Sequence, residues 1–161
     1  MPYLDVADAV GSLDEACAVI RRLWTEDEPF DFDGTYVQLS GAFCNPKPVQ
    51  QPHPPFMIGG RSRATLRVVA EYADFWNIPG GDLDDVIQSS ALLDQLCSEI
   101  GRDPASITSY SSVSYDQPGM TRTSITEAMD AGFTHIVLGL PAPYREHVAH
   151  WTASEIIDGA K

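Results

Sequence analysis

Residues 55–78, PFMIGGRSRATLRVVAEYADFWNI, leave this chain little choice of fold. A continuous apolar run at 55–58 predicts a short buried strand. A Gly-Gly turn follows, then a helix over about 62–73 with Leu66, Val69, Ala70 and Ala73 on one face, then a second strand over 75–78. A strand, a helix and a second strand joined this closely form a βαβ unit, whose two strands must run parallel and lie covered. Gly59 and Gly60 fall where the C-terminal end of the first strand meets the helix N-terminus. Unpaired N–H groups and the positive end of the helix dipole face outward at such a place, and glycine lets an anion approach the backbone. Arg61, Ser62 and Arg63 follow directly. A phosphate seat and a plain strand-to-helix turn both explain the glycines.

At 161 residues, 43% of them hydrophobic, the chain is long enough for one domain with a real core. Its formal charge of −13 argues against nucleic acid and anionic membrane surfaces as partners. No run is long enough to span a membrane, and no basic-then-apolar signal peptide opens the sequence. Cys17, Cys44 and Cys97 are widely spaced, without a CxxC pair. That usage suggests reduced thiols in a cytoplasmic protein and gives no support to metal binding.

Before the central unit, residues 1–11 read as a loose lead-in. Ser12-Leu13-Asp14-Glu15 has the form of a capping box and predicts a helix from there to about Trp24. Asp33-Gly34 within PFDFDGTYVQL predicts a hairpin. The prolines at 46, 48, 52, 54 and 55 predict an extended connection, with His53 as a solvated loop histidine. After it, a helix is expected over 82–100, with Val86, Ile87, Leu93, Leu96, Cys97 and Ile100 inward and Gly101 as its stop. A strand at 107–115, a helix at 121–131, a buried strand HIVLGL at 135–140 and a last helix at 144–157 complete the pattern. The sum is an α/β protein: a helix and hairpin excursion followed by four parallel βα units.

Several of these segments, taken in order, resemble the luciferase-like monooxygenases. They are Arg22-Leu23-Trp24-Thr25, Phe32-Asp33-Gly34-Thr35-Tyr36, Pro46-Lys47-Pro48-Val49-Gln50, Pro54-Pro55, Ile58-Gly59-Gly60, Leu66-Arg67-Val68-Val69-Ala70 and Ala73-Asp74-Phe75-Trp76-Asn77. The branch using the deazaflavin coenzyme F420 is the nearest, with the FMN branch close behind. The resemblance implies a TIM (β/α)8 barrel, a fold of about 250 residues. This chain is similar to its C-terminal half only, as one truncated domain: a lead-in at 1–11, a helix, hairpin and proline-rich excursion at 12–54, and four βα units at 55–161.

By that resemblance Gly59 and Gly60 hold the phosphate of F420 or FMN, with Arg61 and Ser62 as neighbours by position. Trp76 and Asn77 end the next strand, at the functional rim of such a barrel. Trp76 also suits plain packing. The implied function is a flavin- or deazaflavin-dependent oxidoreductase or monooxygenase acting on a small molecule, or the cofactor-binding half of one. A non-catalytic half-barrel is the alternative, and no catalytic acid or base is identifiable. A doubly wound nucleotide-binding domain fits less well, since GxGxxG is absent. Half a barrel leaves free strand edges and an apolar face. A homodimer, a complex with a separate first-half chain, or a sheet covered by its own hairpin would resolve that.

Overall fold

Asp74 sets where three strands begin. In the computed structural model, which describes residues 5–78, 83–114, 118–140, 142, 143 and 146–157, β3 (Met57–Gly59), β4 (Phe75–Ile78), β5 (Thr108–Ser114) and β6 (His135–Gly139) form a parallel sheet in that order. The Asp74 carboxylate accepts from the Phe56 N–H at 2.8 Å, and its own N–H donates to the Phe56 carbonyl at 3.0 Å. Its carbonyl accepts from the Thr108 N–H at 2.9 Å. One residue thereby fixes the register of β3, β4 and β5, pairing Met57 with Phe75 and Phe75 with Thr108.

The expected βα rhythm is present. Helix α2 (Arg63–Tyr72) follows β3, α3 (Leu83–Glu99) follows β4, and α4 (Pro118–Asp130) follows β5. After β6 comes α5 (Val148–Trp151), which runs into a π-helical turn at Thr152–Ile157. The last helix therefore starts later than the pattern suggests; Tyr144 and Tyr115 lie outside the described residues. Ahead of the sheet stand α1 (Val6–Thr25) and an antiparallel hairpin, β1 (Phe30–Asp33) and β2 (Gln38–Ala42). Residues 43–56 hold no helix or strand, as their prolines require.

Strand alternation places the core on one face of the parallel sheet. Ile58, Trp76 and Ile78 are buried with Leu66, Val69, Ala70 and Ala73 of the α2 region and with Val86, Leu93, Leu96 and Cys97 of α3. Residues one step along each strand turn to the opposite face. There Met57 is 56% exposed and Val137 48%. This corrects the expectation of a buried β6: its burial alternates, and its apolar run serves two faces of which one is open. Two residues expected to face inward depart from that set, Ile87 at 46% and Ile100 at 52% exposed. Ile87 stands about 100° around the helix from Val86, and Ile100 lies beyond the last turn, which Gly101 ends with φ +72°.

The N-terminal helix starts earlier than the capping-box motif suggests. Asp5 is its N-cap, accepting from the Asp8 N–H at 2.9 Å, and residues 6–11 are helical. Glu15 is instead engaged elsewhere. Its carboxylate accepts from the backbone N–H groups of Thr35, Tyr36 and Val37 at 2.7, 2.8 and 2.8 Å. The hairpin loop is accordingly residues 34–37 and not a two-residue turn, closed by the Gly34 N–H on the Val37 carbonyl. A Cβ on Gly34 would lie 2.3 Å from a Glu15 oxygen, so a side chain there would displace the carboxylate from its three amides. Arg22 stacks on Phe30 with its guanidinium 3.9 Å from the ring centroid, and Lys47 donates to the carbonyls of Leu23 and Glu26 at the end of α1. His53 is half-buried against Trp24 and Phe56 and so only partly solvated, because the proline-rich segment folds it onto α1.

Arg102 ties the sheet's helices together. It donates to the carbonyls of Ala70 and Ala73 at 2.8 and 2.6 Å and to the Ser106 hydroxyl at 3.1 Å. Arg102→Met keeps the stem but leaves carbonyls at the α2 C-terminus without their donor. It should lower unfolding free energy by roughly 1.5–3 kcal/mol in urea titration, and an unchanged midpoint would contradict this role. Glu15 gives a pH signature. Burial pushes its carboxyl up, and the donors Tyr36, Val37 and Thr35 outweigh this and hold it below the usual carboxylate range. Its contribution is therefore complete above the ordinary carboxylate pKa and is lost as pH falls through the lowered folded value. Amide protection factors at residues 35–37 should fall on that acid side in the native protein, and in Glu15→Gln should be low throughout.

Candidate functional site

The β3–α2 turn joins the sheet's C-terminal edge to a helix N-terminus. Gly60 has φ +141°, and a Cβ there would meet Thr65 Cγ2 at 2.7 Å, so the turn needs glycine for its own packing. Its N–H does not face outward as expected but donates to the Asn77 carbonyl at 3.3 Å, extending the β3–β4 ladder by one step. Gly59 differs. It lies on the open face of the sheet, where a Cβ would meet Asn77 O at 3.5 Å, an ordinary contact.

Ser62 is the N-cap of α2, its hydroxyl accepting from the Thr65 N–H at 3.1 Å and bonded to the Thr65 hydroxyl at 2.9 Å. The N–H groups of Arg63 and Ala64 lack intrahelical acceptors by the geometry of any first turn. Arg61 forms an ion pair with Asp85 of α3 at 3.1 Å through one terminal nitrogen, with its side chain 38% exposed. Arg63 pairs with Glu99 at 3.6 Å.

Trp76 is not at the rim surface. Its side chain is 0% exposed, within the core between sheet and helices, and the indole N–H donates to the Gly60 carbonyl at 2.9 Å. Asn77, one residue on, takes the open face beside Gly59. The sheet register continues that row to Tyr110 and His135. Those rings stand 4.6 Å apart, and Phe75 meets Tyr110 edge-on at 5.6 Å. Sequence reasoning missed this row and the Asp85 partner of Arg61. The alternation of β5 and β6 could have given the row, but no local signal gives a pairing 24 residues apart.

No metal-ligand group of three His, Cys, Asp or Glu side chains forms among the described residues, and no described helix is long and apolar enough to cross a membrane. Burial pushes the Cys17 and Cys97 thiols up, so both stay protonated. A groove of about 990 Å³ lies on the outer side of α1, α2 and α3, between Asp14, Arg67, Tyr72 and Ile100. It is remote from the open face that Gly59 and Asn77 share, because the sheet and core separate them.

The luciferase-like monooxygenase family model matches residues 3–151. The chain belongs to this family. Over 85 residues it is 27% identical to the FMNH(2)-dependent dimethylsulfone monooxygenase of Pseudomonas putida, an alignment of 53% of this chain and 23% of that enzyme. An F420-dependent secondary alcohol dehydrogenase, solved with an F420-acetone adduct, superposes with TM-score 0.85 at 16% identity over 97% of this chain and 63% of that one. The coenzyme F420-dependent tetrahydromethanopterin reductase of Methanopyrus kandleri gives 0.77 at 16% identity, over 94% and 64%. The chain thus spans under two thirds of these relatives. Its fold is the C-terminal half of a luciferase-like (β/α)8 barrel.

The two glycines of this luciferase-like turn should respond differently to substitution. Gly60→Val places a β-branched residue at a left-handed φ against Thr65, and should destabilise the fold by about 1–3 kcal/mol. Gly59→Val should leave the thermal midpoint nearly unchanged. Equal losses in thermal denaturation would contradict the distinct surroundings of the two residues.

Proposed function

We propose that this chain is the cofactor-phosphate-binding half of a flavin- or deazaflavin-dependent oxidoreductase of the luciferase-like family, acting on a small molecule in the cytoplasm. The observation that carries the reading is the β3–α2 turn. It sets an unobstructed Gly59 beside Asn77, at the C-terminal edge of a parallel sheet, next to the N-terminus of α2. That edge is where βα barrels place their active sites. The residues present fit a phosphate: backbone donors of the first turn of α2, room at Gly59 for close approach, and the half-exposed Arg61 guanidinium, which among the described residues engages one nitrogen with Asp85. Gly59, Arg61 and the Arg63 and Ala64 N–H groups would hold the phosphate of F420 or FMN. Asn77 would face the bound group, Ser62 shapes the helix start, and Trp76 and Gly60 hold the turn in place. When bound, such a cofactor supplies hydride or oxygen chemistry, and the protein's part is to position it.

A second reading, binding without turnover, is favoured by one observation. Around the turn, the described side chains are a capping serine, Asn77, a buried indole, and arginines whose carboxylate partners Asp85 and Glu99 are held in ion pairs. The two readings separate by assay. Calorimetric titration with FMN and with F420 should show binding of at least one by the native chain. Arg61→Ala should weaken it by roughly ten- to a hundred-fold, the equivalent of about 1.5–3 kcal/mol, and Gly59→Val should abolish it. Undiminished binding by Gly59→Val would overturn the phosphate seat. Binding with steady turnover by the single chain would overturn the second reading alone.

A further inference from the structure

Beside the β3–α2 turn, each cation among the described residues is matched by a carboxylate. Arg61 Nη1 lies 3.1 Å from Asp85 Oδ2, and Arg63 pairs with Glu99 at 3.6 Å. The side-chain charges of these two pairs cancel, and Asp84 adds a further exposed carboxylate next to Asp85 in the first turn of α3. What the turn offers an anion beyond them is backbone. The first N–H groups of α2 carry the positive end of a helix dipole, equivalent to roughly half a charge.

The two cofactors of this family present different phosphates to such a place. FMN ends in a phosphate monoester, which carries about −1.5 to −2 at pH 7. The phosphate of F420 is esterified on both sides, so it has no second proton to lose and carries a single charge. A phosphate accepting from the other nitrogens of the Arg61 guanidinium would lie on the order of 6 Å from the Asp85 carboxylate, inside the Debye length of about 8 Å. Asp85 repels each negative charge placed there. The second charge of a monoester meets that repulsion, and a diester has none to meet it.

We infer that Asp85 is a selectivity residue, biasing this turn against a doubly charged phosphate monoester, as in FMN, and towards a singly charged phosphodiester, as in F420. The inference rests on the phosphate seat proposed above. Asp85 is a positioning residue: it holds Arg61 through the ion pair and acts on the ligand through its field. The net charge of −13 opposes every anion at every part of the surface, whereas Asp85 acts at this one.

The methyl ester of FMN isolates the charge, since it keeps the isoalloxazine ring and makes the phosphate a diester. Calorimetric titration of the full chain at neutral pH and low ionic strength should show F420 and the methyl ester bound at least as tightly as FMN. In Asp85→Asn, affinity for FMN should rise about three- to tenfold relative to the methyl ester. Asp94→Asn removes an equal charge about 13 Å farther along α3 and should leave the ratio as it is. A merely structural role for Asp85 would not move this ratio, because a loosened α3 or a misplaced Arg61 weakens both ligands together. An unchanged ratio in Asp85→Asn, an equal shift in Asp94→Asn, or native binding tighter for FMN than for its methyl ester would overturn the inference and leave the seat standing. A native chain that binds none of the three would overturn the seat and this inference with it.

Discussion

The hydrogen bond from the Trp76 indole to the Gly60 carbonyl, 2.9 Å long, joins the core of this protein to its candidate site. A fully buried indole contributes large apolar area but brings an N–H that must find an acceptor inside, where an unmade bond costs about 1–3 kcal/mol. Only a backbone that turns at Gly60 presents one. Gly60 meets that need with φ +141° and seats itself against Thr65, while its N–H reaches back to the Asn77 carbonyl. The turn is thus held from β4 by both its N–H and its C=O. What remains for a ligand is Gly59 and the first turn of α2, on a frame the core has already positioned.

This division explains how much could be read from the sequence. The βα units were legible because burial follows local periodicity: Trp76 and Ile78 alternate along a strand, while Leu66, Val69, Ala70 and Ala73 repeat along a helix. The glycine pair and its arginines were legible as a turn, but not which glycine serves packing and which leaves space. That depends on Thr65 and Asn77, and so on three-dimensional contact. Ser12-Leu13-Asp14-Glu15 misled for a related reason. A capping box is a local rule, and here Asp5 starts the helix while Glu15 satisfies three amides some 20 residues away. Likewise HIVLGL is apolar enough to look buried, since composition does not say whether a covering layer stands on both sides of a strand.

Electrostatics follows the same economy of few cations. Lys47 and Arg102 both serve backbone carbonyls at helix C-termini, where positive charge complements the dipole. Arg22 stacks on Phe30 and also bonds Glu26. These three are committed to holding the excursion and the helices together. Arg61 and Arg63 are held differently, in ion pairs with Asp85 and Glu99 whose side chains are about half exposed.

Exposed pairs of that kind contribute about 0–1 kcal/mol, so they can be rearranged at little cost. Asp85 therefore orients Arg61 near the turn without binding it firmly. A phosphate at the same place would also accept from backbone N–H groups, and would compete well for the guanidinium. The acidic chain also sets a limit. At a net charge of −13, the protein's overall field opposes an incoming anion, so recognition has to come from donors within a few ångströms, where fixed N–H groups outweigh the screened long-range repulsion. For the proposed phosphate seat, that would make the helix N-terminus and the bare Gly59 backbone more decisive than either arginine.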